Sequence, residues 1–175
     1  TRTICFKKPK KSIKNIFTQV LKGHIGVATS DINKLKFGKK IDVIARSHLK
    51  KMKLDYQHGT GHGVGFFLNV HEGPQSIAKN NNVEILEGMI LSNEPGYYKE
   101  GHFGIRIENL IFVKKDQNKK IFENLTLAPI DKDLIDFKQL TKNEKNYLFK
   151  YHISVYTKLS KYLSSKEKKW LASFI

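Results

Sequence analysis

Apolar residues recur at intervals of three and four positions in two stretches near the start of the chain. The first stretch spans residues 10–25, and Pro9 stands just before it, where a proline is tolerated at a helix start. The second stretch follows Gly38 and reaches Met52. This spacing places the apolar side chains on one face of a helix. The pattern therefore predicts two amphipathic helices that pack against a core.

After residue 63 the pattern changes to short runs rich in β-branched and aromatic residues, bounded by Gly, Pro and Asn. Runs of this kind are typical of strands. We predict strands at residues 64–70, 89–93 and 104–113. In the last run, isoleucines alternate with Arg106 and Glu108. Alternate residues of a strand point to opposite faces, so the arginine and the glutamate are predicted to share one face.

Two helix starts are predicted in the last third of the chain. Thr141 with Glu144, and Ser164 with Glu167, have the spacing of capping boxes. An apolar stripe at helical spacing follows the first of these, over residues 148–162. We therefore predict a pair of helices that pack on the body of the molecule or on a second subunit.

Length and composition indicate one domain in a reducing environment. With 175 residues, 39% of them hydrophobic, the chain can bury a sizeable core. No apolar run approaches the roughly 18 residues of a membrane span, so no membrane association is expected. The single cysteine, Cys5, excludes an internal disulfide and is typical of a reducing compartment. We predict a cytoplasmic protein.

Charge is unevenly distributed along the chain. The formal net charge is +16, yet residues 54–113 hold seven acids and three bases, a net charge of −4. Four of the seven histidines lie in the same stretch. Only three of the 32 basic residues are arginines. Proteins that read bases or bind phosphate groups bidentately favour arginine over lysine. Nucleic acid is therefore not predicted as a main partner. An acidic stretch in a basic chain instead indicates a site for divalent cations.

Three motifs in the acidic stretch carry the candidate chemistry: HGTGHGVGFFLNVHEGP, LSNEPGYY and GHFGIRIEN. Histidines together with carboxylates are typical of a catalytic metal centre, and glycine lets the backbone pass close to a ligand. The candidate site residues are His58, His62, His71, Glu94, Arg106 and Glu108.

Two other motifs, the zinc-binding H-E-x-x-H motif and the phosphate-binding loop, are not matched. His58 and His62 are four residues apart, but the glycines around them disfavour the helix that the H-E-x-x-H motif requires. His71 is followed by Glu-Gly-Pro, which breaks the same motif. The glycine-rich run near His62 lacks the Lys-Ser/Thr of a phosphate-binding loop. The remaining histidines are predicted to be core or surface residues: His24, His48, His102 and His152.

Together and in this order, the three motifs resemble the metal-dependent aminopeptidase P group (Xaa-Pro aminopeptidases) of the pita-bread fold, which prolidase and methionine aminopeptidase share. The resemblance runs from Thr1 to about Trp170 and continues through LTLAPI and DLIDFKQLT, which are similar to the longer, eukaryotic-type branch. The nine-residue step from His62 to His71 is also similar to that branch, whereas prolidases tend to have a shorter step.

The resemblance implies an α/β (α+β) fold, the C-terminal part of a pita-bread (creatinase/aminopeptidase) domain. A curved, mostly antiparallel sheet with flanking helices is expected. Residues 1–130 would form the C-terminal part of the catalytic domain. Residues 131–175 would form a helical C-terminal extension of the same domain.

The resemblance also implies the metal ligands. His62 looks like the metal-binding histidine of the family. Glu94, in NEPG, resembles a terminal metal ligand that can also shuttle a proton. Glu108, in RIEN, resembles the carboxylate that bridges two metal ions.

Three more residues have roles implied by the resemblance. His71 is similar to the family histidine that contacts the substrate and assists proton transfer. His58 resembles the histidine that lines the proline side of the cleft and binds substrate. Arg106 looks like the arginine that orients a metal-bound carboxylate. With Glu94, the residues His71 and Arg106 are the predicted catalytic group.

The implied function is hydrolysis of the bond before proline, with release of the N-terminal residue from peptides that have proline second. Two divalent ions would share a water that becomes hydroxide near neutral pH. A carboxylate-rich site with one imidazole favours Mn²⁺, with Co²⁺, Fe²⁺ or Zn²⁺ as substitutes. A homodimer is expected from the resemblance. Two alternatives stay open: a prolidase-like Xaa-Pro dipeptidase, and a metal-free pita-bread binding module.

The start of the chain bears on these expectations. The family's dinuclear site uses five protein ligands, two of them aspartates upstream of the residues named above. The second aspartate belongs to a motif ending D-x-TRT, and this chain begins with Thr1-Arg2-Thr3. Asp31 matches neither position. We therefore expect a piece of a longer enzyme that lacks two of the five ligands and is inactive alone.

Overall fold

Helices lie towards the two ends of the chain and strands in its middle. The computed structural model describes residues 1–67 and 69–175. The α-helices are α1 (Lys11–Ala28), α2 (Ile32–Leu35), α3 (Gly38–Lys51), α4 (Lys142–Leu159) and α5 (Ser165–Ala172). The strands are β1 (Gly61–His62), β2 (Ser76–Ile77), β3 (Ile90–Asn93), β4 (Gly96–Lys99), β5 (Phe103–Arg106), β6 (Asn109–Asp116) and β7 (Lys119–Asn124). Short 3₁₀ helices lie at Lys132–Leu134, Phe137–Gln139 and Ser160–Tyr162.

Helices α1 and α3 pack against each other through the faces that their apolar spacing predicts. Helix α1 buries Phe17 and Leu21, and α3 buries Leu49. The helices approach closely at Gly23, where a Cβ atom would overlap the carbonyl oxygen of Ala45. Both predicted helices are confirmed, and the first runs about one turn beyond its predicted end.

All strand pairs are antiparallel, in three small sheets with the orders β1–β2, β3–β6–β7 and β4–β5. Asn93 pairs with Asn109 at the end of β3, and Gly96 pairs with Arg106 at the start of β4. The short segments that leave β3 and enter β6 therefore lie side by side. An α/β fold with antiparallel sheets and flanking helices is confirmed.

The prediction of one continuous strand at residues 104–113 is wrong. The chain leaves β5 after Arg106 and enters β6 at Asn109, because the two halves pair with different strands. In the break between them, Ile107 N donates to Pro95 O at 3.3 Å. The predicted alternation nevertheless holds, since the isoleucines are buried while Arg106 and Glu108 are half-buried.

The strand predicted at residues 64–70 is also wrong over its described part. These residues form a loop in which Gly65 N donates to Asn69 O at 2.8 Å. Phe67 has a φ of 58°, in the left-handed region, which an extended strand does not allow. Phe66 and Phe67 are each 86% exposed. Residue 68 of this stretch lies outside the described residues. The apolar composition favoured a strand, but the turn at Phe67 prevents one.

Two apolar clusters form the core. The first joins α1 to the C-terminal helices and includes Phe17, Ile107, Ile135, Val155 and Leu171. The second lies between α3 and strands β3 and β6 and includes Ile41, Leu91 and Ile111. Because residues 131–175 contribute to the same cluster as α1, the C-terminal helices are packed on the body of the molecule.

The two capping boxes predicted from the sequence are confirmed at the starts of α4 and α5. In the first, Glu144 also accepts a 2.7 Å bond from Lys22 Nζ on α1. Burial raises the pKa of Glu144, but the bonds from Lys22 and Thr141 outweigh it and hold the pKa below its usual range. This contact fixes the start of α4 on α1.

Among the described residues, no helix combines the length and the apolar character needed to cross a membrane.

Buried histidines make the stability of this fold depend on pH. His152 Nε2 accepts a 3.1 Å bond from Ile130 N, and burial lowers the pKa of His152 from 6.5 to about 4. Below pH 6.5 the His152 side chain binds a proton in the unfolded chain but not in the folded chain. The contribution of neutral His152 to the free energy of unfolding is therefore complete above pH 6.5 and is lost as the pH falls towards 4.

The free energy of unfolding should fall when the pH is lowered from 7 to 5. We expect this fall to be about 1–2 kcal/mol smaller in His152→Gln than in the unmodified chain, the size that the pKa shift implies. Urea denaturation at both pH values measures it. His102→Gln is the control, because His102 is exposed and should leave the pH dependence unchanged. An unchanged pH dependence in His152→Gln would contradict the expectation.

Candidate metal centre

The pairing of β1 with its neighbours brings His62 next to Glu94. Gly63 bridges to Leu91 on β3, and His62 N donates to Ser92 Oγ at 2.9 Å. The hydroxyl of Ser92 in turn donates to Glu94 Oε1 at 2.9 Å. This close approach requires the glycine before His62, because a Cβ atom at Gly61 would overlap the carbonyl oxygen of Ser92. His62 Nε2 lies 3.3 Å from Glu94 Oε1.

Glu108 reaches the same place from the break between β5 and β6. One ligand atom from each of His62, Glu94 and Glu108 lies within 4.8 Å of the other two. His62 Nδ1 lies 2.9 Å from the carbonyl oxygen of Gly63, which can only accept, so Nδ1 carries the proton. In the neutral imidazole, Nε2 then carries a lone pair that faces the carboxylates. This is the tautomer that binds a metal ion.

The two carboxylates are partly shielded from water and lie beside Arg106 and Thr1. Arg106 Nη1 lies 3.7 Å from Glu94 Oε2. The hydroxyl group of Thr1 donates to Glu108 Oε2. Both charge and donor types therefore fit a hard or borderline divalent cation.

Tyr98 links Arg106 to His58. Arg106 Nε donates to Tyr98 Oη at 2.7 Å, and Tyr98 Oη lies 2.8 Å from His58 Nε2. His58 Nδ1 lies 2.7 Å from the carbonyl oxygen of Gly59 and must be its donor. In the neutral imidazole, His58 Nε2 is then the acceptor and the Tyr98 hydroxyl donates to it. These bonds form one directed chain from Arg106 through Tyr98 to His58.

All six predicted site residues lie in this region. His71 is exposed, and the centre of its ring is 4.1 Å from that of His62, so it lies beside the cluster without belonging to it. The remaining histidines lie in the core or on the surface, as predicted: His24 and His152 are buried, His48 is half-buried and His102 is exposed.

Sequence reasoning missed Arg46, which holds the segment before the cluster. Its side chain is 2% exposed and donates to both carboxylate oxygens of Asp42, at 3.0 and 2.8 Å. It also donates at 2.7 Å each to Asp55 Oδ1 and to the carbonyl oxygen of His58. The spacing of Asp42 and Arg46, one helical turn apart on an apolar face, was the available signal.

The same network extends to Glu94. Thr60 Oγ1 donates to Asp42 Oδ1 at 2.6 Å, and the carbonyl oxygen of Thr60 accepts from Glu94 N at 2.8 Å. The buried Arg46–Asp42 pair therefore determines where the main chain runs at both His58 and Glu94. Tyr98 was missed as well, although it lies in the quoted motif four residues after Glu94.

Comparison with known families is consistent with this geometry. Residues 1–115 match the model of metallopeptidase family M24, and residues 121–173 match the C-terminal region of peptidase M24. The chain belongs to metallopeptidase family M24.

Within this family, the chain is similar to individual Xaa-Pro aminopeptidases and to a prolidase. The chain is 44% identical to Xaa-Pro aminopeptidase 1 of Dictyostelium discoideum over 91% of its own length and 27% of that protein. It matches the crystal structure of X-prolyl aminopeptidase from Caenorhabditis elegans, which is described as a cytosolic enzyme with a di-nuclear active site. The TM-score of this match is 0.89 and the sequence identity is 38%, over 98% of this chain and 30% of that one. Prolidase from Pyrococcus furiosus matches with a TM-score of 0.63 and 30% identity, over 71% of this chain and 35% of that one. The chain thus spans about 30% of the length of its aminopeptidase relatives.

Metal binding by the cluster can be tested with an isosteric change at one ligand. We expect Glu108→Gln to weaken Mn²⁺ binding about 100-fold or more, because even an outer partner of a ligand contributes about 10–100-fold. Calorimetric titration of the purified chain measures it. Glu100→Gln is the matched control, since Glu100 is exposed and outside the cluster. Equal affinities for the Glu108→Gln variant and the unmodified chain would remove Glu108 from the ligands.

The direction of the Tyr98 hydrogen bonds is also testable. In Tyr98→Phe the Arg106 Nε–H loses its acceptor, so its exchange with water should speed up about tenfold, the scale of one hydrogen bond. Two-dimensional ¹⁵N NMR measures this exchange and identifies the Nδ1–H tautomer of His58. Tyr97→Phe is the control, because Tyr97 packs against Phe103 instead. Unchanged Arg106 exchange in Tyr98→Phe would show that the bond is absent.

Proposed function

We propose that this chain supplies one side of the metal centre of an Xaa-Pro aminopeptidase, a hydrolase that releases the N-terminal residue from peptides with proline second. The observation that carries the proposal is the cluster of His62, Glu94 and Glu108, with ligand atoms within 4.8 Å of one another. Likeness to the Dictyostelium and Caenorhabditis enzymes supports the substrate class.

The donor set of one imidazole and two carboxylates fits two divalent ions, with Mn²⁺ preferred and Co²⁺, Fe²⁺ or Zn²⁺ as substitutes. When bound, such ions polarise a carbonyl group and lower the pKa of a water to near neutrality. Glu108 is suited to bridge them and Glu94 to bind one of them. Two ions need more ligands than these three residues supply, so we propose that the isolated chain binds metal weakly and does not turn over substrate.

The residues around the cluster have separate tasks in this proposal. His71, beside His62 and exposed, is placed to stabilise the charge that develops on the carbonyl oxygen of the peptide. Glu94 can pass a proton to the leaving proline nitrogen. Arg106 orients Glu94, and Tyr98 orients Arg106 and His58. His58 lies where it would contact the proline side of the substrate.

Two other functions remain candidates. Prolidase-like cleavage of dipeptides has the weaker structural support, since the Pyrococcus match has the lower TM-score and covers less of the chain. A metal-free binding module would suit the net charge of +16, but such a module has no use for the three ligand side chains held together. We further propose a cytosolic homodimer, in line with the cytosolic relative.

A chimeric enzyme tests the function. Residues 1–175 would replace the matching region of the Dictyostelium aminopeptidase, which is 44% identical. We expect the chimera to bind two metal ions by elemental mass spectrometry and to cleave tripeptides with proline second. A folded chimera without metal and without cleavage would overturn the proposal. Cleavage of dipeptides alone would favour the prolidase reading, and salt-sensitive RNA binding without metal would favour the binding module.

In the chimera, His71→Ala is expected to retain both metal ions but to lower turnover about 10²-fold or more, the scale of a general acid/base or oxyanion donor. Steady-state kinetics with a chromogenic Xaa-Pro peptide measures it, together with metal content. His102→Ala is the control, because His102 is exposed and outside the predicted site. Turnover equal to that of the unmodified chimera would remove His71 from the mechanism.

A further inference from the structure

The segment ahead of α1 contains an arginine whose donors are fully used. Nε of Arg2 donates to Pro129 O at 3.0 Å, and Nη1 donates to Glu108 O at 2.5 Å. Nη2 donates to Asn109 Oδ1 at 2.6 Å and to Tyr151 Oη at 2.8 Å. One side chain therefore joins the start of β6, the chain after β7 and helix α4. An arginine is suited to this because its donors are rigid and planar.

The main chain at Glu108 depends on this segment. Glu108 lies in the break between β5 and β6, where its amide nitrogen donates to Thr1 O at 3.1 Å and its carbonyl oxygen accepts from Arg2. Both backbone polar groups of this residue are thus bonded to the first two residues. A shift of Arg2 would therefore move the main chain that carries the Glu108 carboxylate.

Tyr151 on α4 holds Arg2 in turn. Since an arginine can only donate, Tyr151 Oη accepts from Arg2, and its own hydrogen is directed to Ala128 O at 2.7 Å. The Tyr151 side chain is buried, so it has no water to replace these bonds. The contact extends from the C-terminal helical region to the residue next to a predicted metal ligand.

We propose that helix α4 controls the position of Glu108, with Tyr151 and Arg2 as positioning residues. This inference rests on the proposed metal centre, and it gives the C-terminal helical region a task in that centre. Tyr151 fixes the guanidinium, the guanidinium fixes the carbonyl group of Glu108, and the carboxylate is thereby held near His62 and Glu94. Loss of the Tyr151 hydroxyl loosens a ligand without removing any ligand atom.

Removing one hydroxyl from each of two tyrosines on α4 tests the proposal. Tyr151→Phe deletes one of the acceptors of Arg2 Nη2, which also donates to Asn109 Oδ1 and to Ala128 O. Tyr147→Phe is the matched control: its hydroxyl accepts from Asn124 Nδ2 at 3.0 Å, and it reaches Arg2 only through the side chains of Asn124 and Asn109. Both variants are made in the whole chain, and urea denaturation measures the stability that each loses.

Two readouts separate positioning from general stability. In the metal-free chain, amide hydrogen exchange at Glu108 should be about tenfold faster in Tyr151→Phe and nearly unchanged in Tyr147→Phe, the scale of one hydrogen bond. Mn²⁺ affinity should fall in Tyr151→Phe only, by about tenfold, the low end of the loss for an outer partner of a ligand. Arg2→Lys, which keeps the charge but not the planar fork, should reproduce both effects.

Equal exchange at Glu108 in the two tyrosine variants would overturn the proposal, whatever their stability. If the folded chimera binds no Mn²⁺, the proposed metal centre fails, while the exchange experiment on the isolated chain still decides whether Tyr151 positions Glu108. If Tyr151→Phe does not fold, Arg2→Lys takes its place, and exchange at Glu108 equal to that of the unmodified chain again overturns the proposal.

Discussion

The arrangement of the centre depends on a buried charge pair on α3. Arg46 and Asp42 are both almost fully removed from water, which costs several kcal/mol per ion unless hydrogen bonds and opposite charge compensate. Burial alone would lower the pKa of Arg46, but its bonds to Asp42 and Asp55 outweigh burial and raise it. A guanidinium whose three nitrogens all donate hydrogen bonds resists displacement. The segment that it holds therefore has one favoured path from α3 into β1.

A second arginine has the same role on the opposite side of the cluster. Arg46 holds the chain that leads to His62 and contacts Glu94 through Thr60, whereas Arg2 holds the chain at Glu108. The three candidate ligands lie on very short strands or in the breaks between strands, where the sheets supply few hydrogen bonds. The two arginines replace that missing backbone support with side-chain donors. Precise ligand positions are thus obtained without long strands.

Electrostatics explains why the cluster suits a cation. Glu94 and Glu108 lie close enough for mutual repulsion to be large in a partly shielded site. Arg106 offsets part of it. A divalent ion would offset the rest and would use the lone pair that the His62 tautomer leaves free. The basic surface of the rest of the chain sets this acidic cluster apart.

The candidate residues of the cluster could be named from the sequence, because side-chain type and motif order indicate which groups can bind a metal ion. His62, Glu94 and Glu108 were named from three short motifs, and the two helices and both capping boxes followed from periodicity and local spacing. These features depend on residues close together along the chain. The structure brings the three named ligands into one cluster.

Only the tertiary structure decided how those residues are held. The break at Ile107 arises because β5 and β6 have different partners, and the loop at Phe67 depends on a turn that apolar composition conceals. The contact of Arg2 with Tyr151 joins residues 149 positions apart. Such contacts depend on packing between distant segments. Local sequence determines which groups can bind a metal, and long-range packing determines where each of them lies.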